Sequence, residues 1–107
     1  MTSLAELARQ RKGRLATLQG HRERVLEIAR KYGAGNVRVF GSTARGTDRD
    51  GSDIDLLVDM DERATLFTLT SLEQELSDLL GVRVDVRTPA EISRYIRTRI
   101  LAEARLL

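Results

Sequence analysis

Three short runs rich in β-branched residues, each separated from the next by a helix-like stretch, dominate the pattern of this 107-residue chain. They cover residues 36–40, 53–59 and 82–86, and glycine or polar turn residues bound each run, which is typical of strands. Apolar residues recur at helical spacing before the first run, between the second and third, and after the third. The predicted order is α-β-short α-β-α-β-α. This order indicates a small mixed α/β (α+β) domain with a three-stranded sheet flanked by helices.

The helical stretches carry their own start and stop signals. The first begins at Ser3 and contains Gly20, where it can break into two helices because glycine disfavours a helix interior. The next has leucines at helical spacing between a Thr65 cap and Gly81, a typical helix terminator. The last is predicted to start at residues 88–91, which combine an N-cap threonine, a first-turn proline and a capping-box glutamate. Its apolar positions are expected to face one side: Ile92, Ile96, Ile100, Leu101 and Ala104.

Length and composition narrow the class of protein. Residues 1–107 are predicted to form one domain, with residues 1–20 as a helical N-terminal extension. No apolar run approaches the ~20 residues that span a bilayer, and the N-terminus lacks a signal-peptide apolar region. We therefore expect a soluble cytoplasmic protein with no membrane partner. Only 4% of the residues are aromatic, which makes nucleic acid an unfavoured direct partner.

Cysteine and histidine content limits the available chemistry. The chain has no cysteine and a single histidine, His21, which excludes a thiol nucleophile, a cysteine-bound zinc site and most histidine-based metal centres. Acidic residues concentrate in the middle of the chain, where residues 41–91 carry twelve acidic side chains against five basic ones. Any bound metal ion must therefore be held by carboxylates.

Three aspartates in this acidic segment are candidate metal ligands. Asp53 and Asp55 lie two apart on a predicted strand, so their side chains share one face, with Cα atoms roughly 6.6–6.8 Å apart. Asp85 would join them if the third strand neighbours the second, about 4.8 Å away. Such a group suits two Mg²⁺ ions about 3.5–4 Å apart, because Mg²⁺ prefers hard oxygen ligands. The alternative is that the paired acids end a strand and form salt bridges with nearby arginines: Arg45, Arg49, Arg83 or Arg87.

A Gly-Ser pair follows the first predicted strand. Gly41 permits a tight turn, and Ser42 is predicted to begin a short helix whose free N–H groups and positive dipole end can hold a phosphate. For Ser42 to lie beside Asp53, the first two strands must run antiparallel, with the ten residues between them forming the connection. A phosphate-binding turn that faces metal-binding carboxylates is what nucleotide transfer requires.

Residues 37–59 carry a family motif. They read V-R-V-F-G-S-T-A-R-G-T-D-R-D-G-S-D-I-D-L-L-V-D, and their G-S-x(10)-D-x-D pattern resembles that of the polymerase-β-like nucleotidyltransferases. The A-R-G after the Gly-Ser pair, V-R-V-D-V-R-T-P at residues 82–89 and I-R-T-R-I-L-A-E-A at residues 96–104 extend the likeness. Together they resemble the minimal nucleotidyltransferases (MNT), the antitoxin halves of HEPN/MNT toxin–antitoxin pairs. The resemblance covers roughly residues 22–107.

The resemblance implies a role for each residue of the motif. The implied phosphate-binding residues are Gly41 and Ser42, and the implied catalytic, metal-binding carboxylates are Asp53, Asp55 and Asp85. In the family, the third carboxylate helps to hold the catalytic metal and activates the attacking hydroxyl. Arg45 is a further candidate contact for phosphate, and its alternative is a salt bridge with an acidic neighbour: Asp48, Asp50 or Asp53. The implied cofactor is Mg²⁺, as two ions, and the implied substrate is ATP.

The resemblance also implies a function and a partner. It predicts a protein adenylyltransferase that acts as an antitoxin by transferring AMP from ATP to a tyrosine of a cognate HEPN ribonuclease toxin. One alternative is an antitoxin that neutralises its partner by complex formation alone. Another is nucleotidyl transfer to a small-molecule or RNA acceptor.

Overall fold

The computed structural model describes residues 13–49 and 51–107. The elements in chain order are α1 (Arg14–Gly20), α2 (Arg22–Lys31), β1 (Ala34–Phe40), α3 (Gly41–Arg45), β2 (Ile54–Met60), α4 (Leu66–Leu80), β3 (Val84–Arg87), a 3₁₀ turn (Pro89–Glu91), α5 (Arg94–Glu103) and β4 (Arg105–Leu106). All the predicted helices and strands are present in the predicted order. The first helical stretch forms two helices, a 3₁₀ turn precedes the last helix, and a fourth strand follows it. In the part of the chain that the structure describes, no helix has both the length and the apolar character needed to span a membrane.

Four strands form one mixed sheet in the order β3-β2-β1-β4. β1 runs antiparallel to β2 and β4, whereas β2 runs parallel to β3. The mixed α/β class is confirmed, but the prediction of three strands is wrong, because Arg105 and Leu106 form a fourth strand beside β1. Two residues are too few to show the alternation by which a strand is recognised in a sequence. Their pairing with β1 alone defines them.

The sheet buries a different cluster on each face. The larger cluster packs the sheet against α1, α2 and α4, and its strand residues are Ala34, Val37, Val39, Ile54, Leu56, Val58, Val84 and Val86. The smaller cluster lies on the opposite face and consists of Leu57, Ile92 and Ile100, with Phe40 and Ala104 partly buried against it. β2 is therefore covered on both faces at its centre, which explains its long apolar run. Only its two ends are free to carry charged side chains.

The first helical stretch divides at His21, next to Gly20, the predicted position of a break. Gly20 is the last residue of α1, and His21 has a backbone conformation (φ −115°, ψ 17°) that separates α1 from α2. Leu15 and Leu18 of α1 are buried in the larger cluster. The predicted start of this stretch at Ser3 lies outside the described residues.

Both predicted ends of α4 are confirmed. The Thr65 side chain accepts a hydrogen bond from the backbone N–H of Thr68, and the Thr68 hydroxyl accepts one from the Thr65 backbone. Gly81 ends the helix in the left-handed conformation, with φ of +68°. These caps satisfy backbone groups that a helix end leaves without partners.

The predicted start of the last helix is wrong. The Thr88–Glu91 capping box forms, but it closes only one 3₁₀ turn. Ile92 then adopts an extended conformation (φ −82°, ψ 133°), and Ser93 caps the separate helix α5. Burial of Ile92 against Leu57 outweighs the local helix signals, because fully burying such a side chain is worth about 1.5–3 kcal/mol.

The predicted apolar face of this last segment is also only partly correct. Ile92 and Ile100 are buried and Ala104 is partly buried, as expected. Ile96 and Leu101 are 41% and 42% exposed, so they lie at the edge of the buried face. Both residues lie in α5 itself, after the break at Ile92, and helical spacing alone does not determine which of its apolar positions become buried.

Helix α4 covers the outer edge of β3. The Glu73 side chain accepts a hydrogen bond from the Val86 N–H at 2.8 Å, and the Ser77 hydroxyl accepts one from the Val84 N–H at 3.0 Å. Unpaired strand edges invite pairing with other chains, and these side chains satisfy two such edge groups. The parallel strand that carries Asp85 is therefore held from both sides.

Candidate active site

The predicted aspartates lie at one end of β2 and β3. Asp55 is the second residue of β2 and is in register with Phe40 of β1 and with Asp85 of β3. Asp53 directly precedes β2, and Ile54 between the two aspartates is fully buried. Because alternate residues of a strand point to opposite faces, Asp53 and Asp55 point away from the larger cluster. The third predicted strand neighbours the second, which is the condition under which Asp85 is expected to join the pair.

Gly41 brings the Gly-Ser turn against Asp55. It directly follows β1 and has φ of +71°, in the left-handed region that favours glycine. A Cβ atom at Gly41 would lie 2.5 Å from Oδ2 of Asp55, which is closer than side chains pack. Ser42 follows in the first turn of α3. The predicted antiparallel pairing of β1 and β2 is confirmed, and it joins the two halves of the motif.

Asp55 lies in surroundings that disfavour its charge. Burial raises the pKa of Asp55 above its usual value, and the carboxylates of Asp85 and Asp53 raise it further. The positive charges of Arg87 and Arg45 offset part of this effect. An excess of carboxylate oxygens with incomplete neutralisation is a donor set that fits Mg²⁺, which prefers hard oxygen ligands.

One of the arginines named above as alternative partners contacts two of the aspartates. Nε of Arg83 lies 3.8 Å from Oδ2 of Asp53, and Nη2 of Arg83 lies 3.4 Å from Oδ1 of Asp85. The aspartates gather at one end of the sheet, yet across residues 13–49 and 51–107 no three Asp, Glu or His side chains already form a metal-ligand group. The three carboxylates lie near one another, and Arg83 contacts two of them.

Arg45 has a partner that local sequence does not indicate. Its Nη1 atom lies 2.7 Å from Oε1 of Glu103, so the pair ties the end of α3 to the end of α5. Asp50, one of the acidic partners considered from the sequence, lies outside the described residues. The positive charge of Arg45 also acts on Asp55, because it lowers the pKa of that carboxyl. Its contact with phosphate stays a prediction.

Helix α1 anchors the connection that leads to Asp53. The backbone N–H of Arg14, the first residue of α1, donates to Oδ2 of Asp48 at 3.0 Å. The Nε atom of Arg14 donates to the carbonyl oxygen of Ser52 at 2.9 Å. A carboxylate at a helix N-terminus is stabilising, and the second bond fixes the residue next to Asp53. Sequence reasoning missed these long-range contacts.

Thr43 is a second residue of this region that sequence reasoning missed. It follows the Gly-Ser pair, is fully buried, and its Oγ1 atom has no hydrogen-bond partner within the described ranges. A buried hydroxyl without a partner costs about 1–3 kcal/mol, so nearly every such group is paired in native proteins. Its only sequence signal is a polar residue in the first turn of a short helix.

Thr43→Val is expected to increase the free energy of unfolding by about 1 kcal/mol, because a methyl group replaces the unpaired hydroxyl. For a domain of this size that increase raises Tm by about 4–8 °C, measurable by thermal unfolding. Thr17→Val is the control, since the Thr17 hydroxyl donates to the Gly13 carbonyl at 3.2 Å and its loss should give no increase. A Tm of Thr43→Val at or below that of the wild type would contradict this account.

The fold and the site together define a class of protein. A mixed sheet joins a Gly-Ser turn at the end of one strand to an antiparallel D-x-D strand and to a third aspartate on a parallel neighbour. This arrangement is that of enzymes that transfer nucleotides. The sequence profile of the nucleotidyltransferase domain matches residues 21–107, and the chain belongs to this nucleotidyltransferase family.

Two relatives refine this assignment. A provisionally named protein adenylyltransferase of Methanocaldococcus jannaschii is 39% identical over 83 residues, which cover 78% of this chain and 89% of the relative. Protein adenylyltransferase MntA of Thermococcus cleftensis is 36% identical over 77 residues, which cover 72% of this chain and 78% of MntA. The predicted enzyme class, nucleotidyltransferase, is confirmed.

Solved structures share the fold. A protein provisionally described as a minimal nucleotidyltransferase matches with a TM-score of 0.80 and 44% identity, over 90% of this chain and 98% of that protein. A complex of a tri-AMPylated Shewanella oneidensis HEPN toxin with an MNT antitoxin matches with a TM-score of 0.63 and 18% identity, over 82% of this chain and 69% of the matched chain. At that identity the second match shows the fold alone. The resemblance to the minimal nucleotidyltransferases is confirmed.

Proposed function

We propose that this protein is a Mg²⁺-dependent protein adenylyltransferase that transfers AMP from ATP to a tyrosine of a cognate HEPN toxin and so neutralises it. The observation that carries the proposal is the approach of the Gly-Ser turn to the D-x-D pair, where a Cβ atom at Gly41 would lie 2.5 Å from Oδ2 of Asp55. A turn suited to phosphate thereby adjoins carboxylates suited to metal. The names of the two relatives support a protein acceptor, and the shared fold of the MNT antitoxin supports a HEPN toxin.

The Gly-Ser turn is the proposed binding element for the triphosphate. Gly41 lacks a side chain, so the turn can lie directly against the carboxylate of Asp55. The first N–H groups of a helix have no partner within the helix, and those of α3 are available to phosphate oxygens along with the Ser42 hydroxyl. Arg45, at the other end of α3, is proposed as an additional phosphate contact.

The three aspartates are the proposed metal ligands. Asp53 and Asp55 share one face of a strand end, and Asp85 is in register with Asp55 on the next strand. Magnesium ions at such a site supply charge neutralisation of the triphosphate and polarisation of the phosphorus under attack. The Asp85 carboxylate is additionally proposed to accept the proton of the acceptor hydroxyl.

The proposed reaction balances without another reactant. The phenolic oxygen of the acceptor tyrosine forms a bond to the α-phosphorus of ATP, and the bond from that phosphorus to the bridging oxygen of the β-phosphate breaks. Pyrophosphate leaves with the electron pair, and the phenolic proton passes to the carboxylate and then to water. The work of the chain is to hold both reactants in line, which accounts for most catalysis of phosphoryl-type transfer.

Intact mass of the partner tests the proposal. A cognate HEPN protein is co-expressed with the wild type, with Asp53→Asn/Asp55→Asn, or with the matched control Asp59→Asn. Asp59 lies on the same strand but at its far end, where it pairs with Arg38 at 2.8 Å. We expect the mass of the partner to increase by whole adenylyl groups with the wild type and with Asp59→Asn, and to stay unchanged with the double variant.

The other outcomes identify the alternatives. A partner that stays unmodified and still co-purifies would indicate an antitoxin that acts by complex formation alone. A HEPN protein that is neither modified nor bound would contradict the proposed partner and direct the search to small-molecule or RNA acceptors. Modification that persists in the double variant would contradict the roles of Asp53 and Asp55.

A further inference from the structure

We propose that Arg83 competes with the divalent cation for the acidic group formed by Asp53, Asp55 and Asp85. Its guanidinium neutralises Asp53 and Asp85 and must be displaced from them when metal binds. This inference rests on the proposed metal site and concerns its regulation. It assigns a role in cation affinity to a side chain outside the G-S-x(10)-D-x-D pattern.

The geometry of Arg83 suits a cation that can be exchanged. Its side chain is 73% exposed, whereas the side chains of Asp53 and Asp85 are 37% and 20% exposed. The contacts of 3.8 Å and 3.4 Å are longer than the ~2.7–2.9 Å of strong charge-assisted hydrogen bonds. Exposed ion pairs contribute little, so water can replace the aspartates around the guanidinium at small cost.

The backbone of Arg83 is fixed even though its side chain is exposed. Its carbonyl oxygen accepts a hydrogen bond from the N–H of Ile54 at 2.9 Å, which joins the residue before β3 to the first residue of β2. Ile54 separates Asp53 from Asp55, so the Arg83 side chain starts beside the pair. The guanidinium therefore remains within reach of the acidic group after it is released.

Arg83 acts on different aspartates from Arg87, and Arg45 acts on Asp55 as Arg87 does. Arg83 contacts the carboxylates of Asp53 and Asp85, whereas the charge of Arg87 acts on Asp55. Both arginines are exposed, and both flank Asp85 on the same strand segment at a distance of two residues. Arg87→Gln therefore removes the same charge as Arg83→Gln without removing the two ion pairs.

Competition has a thermodynamic signature. If the Arg83 ion pairs exist only when metal is absent, Arg83→Gln lowers the free energy of unfolding of the metal-free protein. Its metal affinity then increases by the factor that corresponds to this free energy. Because exposed ion pairs contribute modestly, the expected increase in affinity is about fivefold. The difference in stability between variant and wild type should vanish at saturating metal.

Calorimetric titration with Mg²⁺ and with Mn²⁺ tests the inference. The proteins are the full chain as wild type, Arg83→Gln, Arg87→Gln and Asp53→Asn/Asp55→Asn, each freed of metal with a chelator. We expect a larger affinity for Arg83→Gln than for Arg87→Gln. Urea unfolding with and without Mg²⁺ should show the matching loss of stability only without the ion.

The outcomes separate this inference from the proposed function. If the wild type binds metal through Asp53 and Asp55, but Arg83→Gln and Arg87→Gln have equal affinities, the competition is overturned and the metal site stands. If neither the wild type nor Arg83→Gln binds either metal, the proposed metal site is overturned together with the competition. Binding by Arg83→Gln alone would mean that the arginine prevents loading of the isolated chain, which supports competition in its strongest form.

Discussion

Gly41→Ala is expected to abolish most nucleotide transfer and to destabilise the fold. An L-residue in the left-handed conformation at φ of +71° costs about 1–2 kcal/mol. The added Cβ would also lie 2.5 Å from Oδ2 of Asp55, so the carboxylate or the turn must shift. A misplacement of about 1 Å at reacting groups costs roughly 100-fold in rate, and we expect at least this loss in adenylylation of the partner.

Gly81→Ala is the matched control for this prediction. Gly81 ends α4 with φ of +68°, and a Cβ atom there would have no heavy atom within 4 Å. Both variants place an L-residue at a positive φ, and only Gly41→Ala also displaces Asp55. Urea unfolding should give both a lower stability, whereas the transfer rate should fall only for Gly41→Ala. Equal transfer rates would show that the approach of Gly41 to Asp55 has no catalytic importance.

The part of the site that could be predicted from the sequence depends on local pattern. Two aspartates on alternate positions share a face in any strand, and a Gly-Ser pair after a strand makes a turn in any fold. Bringing these pieces together required only that the first two strands run antiparallel. That pairing is confirmed, and Asp55 is in register with Phe40, the residue before Gly41.

The features that could not be predicted depend on contacts between distant parts of the chain. Ile92 is extended rather than helical because it packs in a buried cluster against Leu57 of β2. Arg45 pairs with Glu103, although the two positions are 58 residues apart. Local helix propensity is worth less than about 1 kcal/mol per residue, so burial of an apolar side chain decides a position such as Ile92.

Arg83 shows a different limit of sequence reasoning. The sequence places four arginines within possible reach of the paired aspartates, and its pattern does not indicate which of them makes the contact. Arg83 is the arginine that contacts Asp53 because β2 and β3 pair in parallel, and the Arg83 carbonyl oxygen accepts a hydrogen bond from the Ile54 N–H. Strand order and direction are properties of the whole sheet, and only the assembled sheet reveals which arginine lies beside Asp53.

Asp55→Asn is expected to stabilise the metal-free protein while it removes activity. The pKa of Asp55 is raised in the folded state by burial and by Asp85 and Asp53. A carboxyl with a raised pKa favours folding below its unfolded pKa of about 3.9, and this contribution is lost as pH rises through the folded value. Ionised Asp55 therefore destabilises the fold at pH 7, and the neutral amide does not.

Thermal unfolding across a pH series gives the test of this trade-off. Without metal, the Tm of Asp55→Asn should match that of the wild type near pH 3 and exceed it increasingly as pH rises to 7, because only the wild type ionises at this position. Asp59→Asn should instead lose stability at pH 7, since Asp59 pairs with Arg38 at 2.8 Å.

Metal should reverse the order of stability, because a ligand that binds only the folded state stabilises it. Added Mg²⁺ is expected to raise the Tm of the wild type, and of Asp55→Asn much less. Transfer should fall roughly 1,000-fold in Asp55→Asn, equivalent to ~4 kcal/mol of transition-state stabilisation, and should persist in Asp59→Asn. A metal-free Asp55→Asn that is less stable than the wild type at pH 7 would show that the Asp55 charge supports the fold. The site would then be a structural salt-bridge network, whereas the expected result makes it a centre whose unfavourable charge is retained for metal and nucleotide.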